Sequence, residues 1–175
     1  MNKLSVYLHQ IRAWGAAARA NRFFWMGLAL AAVIIIGDQA SKYWIVHVLD
    51  LPTLRRVEIL GVFDLTYVEN RGASFGMLSG MRVILSLISA SVAMVLIVWL
   101  GRLVRPIAAL GVAFIIGGAL GNLYDRLAYG YVVDFLDFSG LAFPWVFNIA
   151  DAAINVGIAL LLLDAWQTRE QPDET

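Results

Sequence analysis

Two aspartates, Asp134 and Asp151, lie in the run YVVDFLDFSGLAFPWVFNIADAAIN from Tyr131 to Asn155. This is apolar sequence, where a carboxylate is costly: an Asp near the centre of a membrane helix costs about 2.5–3.5 kcal/mol. Two carboxylates held together in a low dielectric cannot both ionise, so one keeps its proton. The ionised partner can act as general base on a water, while the protonated one donates to the carbonyl of a scissile peptide bond. A simpler reading competes. Asn148-x-x-Asp151 has the spacing of a helix N-cap with an acid at the third helical position, and Asp134 is then a solvated loop residue.

Other polar residues could support such a pair. Asp38 and Lys42 stand i, i+4 on one helix face, suited to a partly buried ion pair; the alternative is an anchor with Lys42 snorkelling to the membrane interface. Asn122-x-x-Asp125-Arg126 repeats the Asn-x-x-Asp spacing, and capping with an Asp125–Arg126 pairing is the favoured role. Asn70 and Asn148 offer amides that could hold a substrate backbone or orient an Asp. Ser41 and Lys42 are adjacent on a helix and do not face each other, which argues against a Ser-Lys protease. There is no Cys, and His9 and His47 are the only histidines. Thiolate chemistry, disulfides and a multi-histidine metal centre are therefore excluded, and no cofactor is expected.

The elements that must position these groups are membrane helices. Of 175 residues, 61% are hydrophobic and 15% charged, far from the balance of a soluble domain. The formal net charge is zero, which gives no sign of a nucleic-acid partner. Four apolar runs are long enough to cross about 30 Å of hydrocarbon: 23–49, interrupted by Asp38, Gln39 and Lys42; 83–100; 107–123, opened by Pro106; and 146–165. Gly111, Gly117, Gly118 and Gly121 give the third run a small face for close packing. No cleavable signal peptide is evident before the first run. The chain reads as an α-helical integral membrane protein, one domain of 1–175.

Residues 1–22 carry Lys3, Arg12, Arg19 and Arg22, with Leu4, Leu8 and Ile11 at helical spacing. They fit either a cytoplasmic arm lying on the membrane surface or a disordered basic tail. Arg102 and Arg105 mark the link between the second and third helices. By the positive-inside rule these segments and both termini, with the tail 166–175, are cytoplasmic. Loops 50–80 and 124–145 then lie outside. In the first, Phe63, Leu65 and Tyr67 alternate with Val62, Asp64, Thr66 and Val68, so a small β-structure is expected. The second has Phe135, Phe138, Phe143 and Trp145, suited to the interface, and Pro144-Trp145 supplies a turn that could fold Asp134 back towards Asp151. Asp38, Asn70, Asn122, Asp125, Asp134, Asn148 and Asp151 all fall on the outer side. Lys/Arg counts alone set that topology, so the convergence independently favours a single site.

These residues carry a resemblance. Asp38-Gln-Ala-Ser-Lys42, Glu69-Asn-Arg-Gly-Ala-Ser-Phe-Gly76, Gly118-Ala-Leu-Gly-Asn-Leu-Tyr-Asp-Arg126, Val132-Val-Asp-Phe-Leu-Asp-Phe138 and Phe147-Asn-Ile-Ala-Asp-Ala152 resemble, in order, motifs of the bacterial lipoprotein signal peptidases. That family (signal peptidase II) comprises membrane aspartyl proteases with four transmembrane helices. The resemblance implies that Asp134 and Asp151 are the catalytic pair, supported by Asp38, Lys42, Asn70, Gly72, Asn122, Arg126 and Asn148. It implies an enzyme of the bacterial inner membrane that cleaves lipid-modified prolipoproteins just before a Cys carrying diacylglycerol; a monomer is expected. It also implies inhibition by the cyclic peptide globomycin. Ser74 stands where the family often has Ala, and Ala152 where it often has Ser. Two rival readings are a small proton- or ion-coupled transporter using Asp38 and Asp151 as relay groups, and a structural membrane subunit in which the polar set is dispensable.

Overall fold

A computed structural model describes residues 3–72 and 81–169. The chain forms α1 (Lys3–Ala20) and then α2 (Arg22–Tyr43), whose N-terminus is capped by Asn21 through a bond from the Phe23 amide at 2.9 Å. A wider π-helical turn, Trp44–Val48, carries α2 on to a span of 27 residues. The short α3 (Leu51–Leu54) leads into β1 (Arg56–Leu60) and β2 (Phe63–Asn70). Next come α4 (Met81–Leu100), α5 (Pro106–Ala128), β3 (Val132–Asp137), β4 (Val146–Phe147) and α6 (Ile149–Arg169). Four helices among the described residues are long and apolar enough to cross a membrane.

The β-structure draws on both loops. Its four strands are antiparallel in the order β1-β2-β3-β4. The alternation in β2 turns Leu65 and Tyr67 inward, onto a core with Ile45, Leu51, Val133 and Phe135. Val68 pairs with Asp134, and Leu136 with Phe147. Asp134 is thus a strand residue, not a solvated loop residue. Hydropathy alone places the fourth helix from 146, but Val146 and Phe147 complete the sheet, and α6 begins at Ile149. Likewise α5 runs beyond 123 to Ala128, so Asn122, Asp125 and Arg126 are all helical.

α5 is the central helix, packed against α2, α4 and α6. Its glycines serve two neighbours. A methyl group at Gly117 would press on Ile34 and the Ala31 carbonyl of α2, and one at Gly118 would strike the Ala150 carbonyl of α6. Close approach of the backbones, rather than apolar burial, holds helices together in lipid. At the end away from the sheet, Trp14 Nε1 donates to the Val98 carbonyl at 3.1 Å, and Asn21 Nδ2 to the Leu103 carbonyl at 2.7 Å. The arm therefore meets the α4–α5 link. The arm is helical, with Leu4, Leu8 and Ile11 exposed, so the reading as a disordered tail fails for its described part.

Candidate active site

Helical spacing brings the first polar layer together. Asp38, Gln39 and Lys42 project from the sheet end of α2, and Asn122 and Asp125 from the last turns of α5. The Lys42 side chain is only 6% exposed; its ammonium lies 2.7 Å from Asp38 Oδ2 and 2.6 Å from Asp125 Oδ2, and donates to Asn122 Oδ1 at 3.3 Å. Lys42 is therefore a buried cation and not an interfacial anchor. Asp125 faces the bundle interior and pairs with Lys42 rather than with Arg126, whose Nη1 donates to the Asn122 carbonyl at 3.3 Å. Hydrogen bonds to Asp38 and Asn122 and the ion pair with Asp125 compensate the ammonium, which is what makes its burial tolerable.

Asp38 also reaches across to α6, where its Oδ1 accepts from the Ala150 amide at 2.9 Å. That amide belongs to the first turn of α6, whose N–H groups lack intrahelical partners, so α2 supplies part of the cap. Gln39 joins the layer by donating to Asp125 Oδ1 at 2.8 Å and Asp38 Oδ2 at 3.2 Å. Sequence reasoning registered Gln39 only as an interruption of the apolar run. A neutral amide one turn from Lys42 was the available signal.

The second layer holds Asp134 and Asp151. Asn148 is fully buried and connects them. Its Nδ2 donates to Asp134 Oδ1 at 2.6 Å, its Oδ1 accepts from the Asp151 amide at 2.9 Å, and its own amide faces Asp151 Oδ2 at 3.4 Å. The last two contacts form the reciprocal cap expected from Asn-x-x-Asp spacing. The capping reading is therefore correct for Asp151, and it is also what aims Asp151 towards Asp134. Asn122 ties the layers together: its Nδ2 donates to Asp151 Oδ1 at 2.7 Å, and its Oδ1 accepts from Lys42 and from Asn148 Nδ2 at 3.2 Å.

On the sheet side, Asn70 Nδ2 donates to Asp134 Oδ2 at 3.0 Å, while Asn70 Oδ1 accepts from the Gly72 amide at 3.0 Å. Gly72 has φ 79°, and a methyl group there would run into Leu85 of α4. This glycine fixes Asn70, which in turn fixes Asp134. Residues 73–76 of the same motif, including Ser74, lie outside the described residues. All the residues named from sequence as a catalytic pair and its supporters thus belong to one connected cluster.

Asp134 is 2% exposed. Burial, and next the charge of Asp151, raise its pKa from 3.8 to about 6, against the lowering effect of the Asn70 and Asn148 hydrogen bonds. Asp151 sits in the N-terminal turn of α6, where its Oδ1 accepts from the Asn122 amide at 2.7 Å. Two carboxyls in contrasting surroundings, joined by one amide, can divide the roles of proton donor and proton acceptor.

Known proteins resemble this chain over most of its length. The family described as signal peptidase (SPase) II matches residues 30–167. A lipoprotein signal peptidase from Caulobacter vibrioides is 49% identical over 150 residues, covering 83% of this chain and 89% of that protein. One from Alteromonas mediterranea is 41% identical over 160 residues, covering 87% and 85%. Among solved structures, a bacterial membrane enzyme determined at 2.3 Å is similar with a TM-score of 0.75 and 25% identity, over 86% of this chain and 93% of that one. A second, at 1.9 Å, gives 0.71 and 28%, over 80% and 92%.

Proposed function

The chain belongs to the signal peptidase II family, and from that premise we propose that Asp134 and Asp151 are its catalytic pair. As a member, it is a multi-pass membrane aspartic endopeptidase that removes signal peptides from prolipoproteins. The observation that supports the assignment is Asn148, whose side chain bonds both Asp134 and the helix turn bearing Asp151.

Asp151 takes a proton from a water, whose oxygen attacks the scissile carbonyl, and Asp134 gives its proton to the carbonyl oxygen. Collapse of the tetrahedral diol breaks the C–N bond. The leaving nitrogen receives the proton held by Asp151, and Asp134 recovers its own from the diol hydroxyl. Asn70, Gly72, Asn122 and Asn148 hold the two carboxyls, and the Asp38–Lys42–Asp125 layer holds Asn122. Arg126 fixes the Asn122 backbone and adds positive charge beside the pair.

The substrate is a precursor whose diacylglyceryl Cys keeps the scissile bond at membrane depth, and the enzyme works as a monomer. The site opens at the outer face of the inner membrane, with both termini cytoplasmic; the basic arm and the basic α4–α5 link at one end of the bundle favour that orientation. A transporter would need a polar path to the opposite end, yet residues 107–121 of α5 contain no charged side chain. The test is cleavage of a lipidated precursor by purified protein in vesicles. Asp134→Asn and Asp151→Asn should each abolish it with the protein still inserted, and globomycin should block the unaltered enzyme. Normal turnover by either variant would dismiss the pair.

A further inference from the structure

A groove of about 410 Å³ runs between α4 and α5 at the sheet end of the bundle. Leu123 and Leu127 of α5 line it, whereas Asn122, one position earlier, bonds Asp151. Adjacent helix residues do not face each other, so the groove and the aspartate pair lie on different faces of α5. Leu87 and Leu127 are each 63% exposed, and the groove therefore opens towards the surrounding lipid.

Three α4 residues line the groove in order of depth: Arg82, Ser86 and Ala90. Spacing of four puts them on one helix face, each about 6 Å further along the axis than the last. Arg82 opens the span Arg82–Leu100, and its Nη2 donates to the Leu127 carbonyl at 3.2 Å. That contact uses one of the five guanidinium N–H groups, and Arg82 makes no ion pair among the described residues. Ser86 is 8% exposed, yet its Oγ has no hydrogen-bond partner among the described residues. A buried hydroxyl left in that state is costly and calls for a partner. Around and below it Val83, Leu87, Ala90 and Leu123 are apolar. A cation at the interface, a hydroxyl one turn deeper and an apolar trough beyond follow the order of phosphate, glycerol ester and acyl chain in a phospholipid. Arg82 is the one charged residue among those lining the groove, so an anionic headgroup is matched and a headgroup ammonium finds no carboxylate there.

We propose that this groove binds one anionic phospholipid in the leaflet on the sheet side. The Arg82 guanidinium donates to its phosphate, the Ser86 hydroxyl donates to an ester carbonyl, and an acyl chain lies along Leu87, Ala90 and Leu123. The bound lipid fastens α4 to the end of α5 that carries Asn122 and Arg126. The proposal does not depend on which residues cleave substrate.

The test is native mass spectrometry of the full chain, released from detergent micelles with phosphatidylglycerol or phosphatidylcholine of matched acyl chains. One molecule of phosphatidylglycerol should be held about tenfold more tightly than phosphatidylcholine, the scale of a hydrogen bond to a charged group. Arg82→Gln can still donate to the Leu127 carbonyl but has no charge; it should retain one phosphatidylglycerol fewer while its circular dichroism stays unchanged. Arg82→Lys keeps the charge and should keep that molecule. Ser86→Ala should weaken both lipids at this site by about three- to tenfold, because the ester is common to them. A diacylglyceryl-cysteine peptide, which lacks phosphate, should leave the phosphatidylglycerol in place. Equal affinity for the two lipids, an undiminished count in Arg82→Gln, unaltered retention in Ser86→Ala or displacement by the peptide would each overturn the site.

Discussion

The two ends of the helix bundle both contain ionic clusters, and they are built differently. Near the sheet, four carboxylates (Asp38, Asp125, Asp134 and Asp151) surround two cations, Lys42 and Arg126. At the far end, Asp164 meets Arg105 at 2.6 Å, and Arg105 and Asp164 each also bond Thr168. The far cluster is balanced one to one and fastens the start of α5 to the end of α6. The near cluster carries surplus acid in surroundings that penalise charge. A structural latch has no need of that surplus, and a site that must hold and move a proton does.

The strongest way to break the comparison is to neutralise one acid of the surplus. Asp134→Asn or Asp151→Asn should lower precursor cleavage by about 10²–10⁴-fold or more, the range assigned to a positioned acid or base. Equal loss on altering Asp164 would erase the distinction between the two ends.

Removing the cation tests the near cluster from the other side. Lys42→Met leaves Asp38 and Asp125 facing each other without the ammonium at 2.7 and 2.6 Å. Loss of one partner from a buried pair costs about 3–5 kcal/mol, so the thermal midpoint in detergent should fall sharply. Adding Asp125→Asn should recover much of it. A small effect of Lys42→Met alone would show the layer to be wetter than its burial implies.

The third prediction uses pH. Asp134 has its pKa raised from 3.8 to about 6 by burial and by Asp151. The folded state therefore binds the proton more tightly than the unfolded chain. The stabilisation is complete below 3.8 and is lost as pH rises through about 6, a difference of about 3 kcal/mol. Asp134→Asn has no such proton, so its stability relative to the unaltered protein should improve between pH 4 and 6 and level off above. Parallel pH profiles for the two proteins would refute the raised pKa.

Much of the near end was legible in the sequence because its signals are local. Asp38 and Lys42 share a helix face by spacing, Asn148 and Asp151 carry a cap pattern, and the alternation of Phe63, Leu65 and Tyr67 marks a strand. Pairing across the chain was not legible. Nothing in the run Val132–Phe138 distinguishes a loop from a third strand until β2 lies beside it with Val68 opposite Asp134. Asp125 looked like a partner for adjacent Arg126, because sequence shows neighbours along a helix but not which face the bundle covers. Gln39 was hidden for the same reason, and Asp164 lay unremarked in an apolar run because its partner Arg105 is 59 positions away in the chain.

The far cluster yields the smallest effect, and that smallness is informative. Asp164 is buried, but Arg105 is about half exposed, so solvent screens the pair and its contribution should be about 1 kcal/mol or less. Asp164→Asn keeps a hydrogen-bond acceptor for Arg105 while removing the charge. The thermal midpoint should drop slightly, and precursor cleavage should stay within about twofold of the unaltered enzyme, too small a change to count as lost acid–base catalysis. The apolar stretch of α5 between Arg105 and Asn122 is the reason: it offers no polar route by which a proton lost at one end could be felt at the other. If Asp164→Asn instead silenced the enzyme as Asp151→Asn is expected to, charge at the two ends would be coupled across the bilayer, and a proton-conducting role for the bundle would replace the picture of one reactive end and one fastened end.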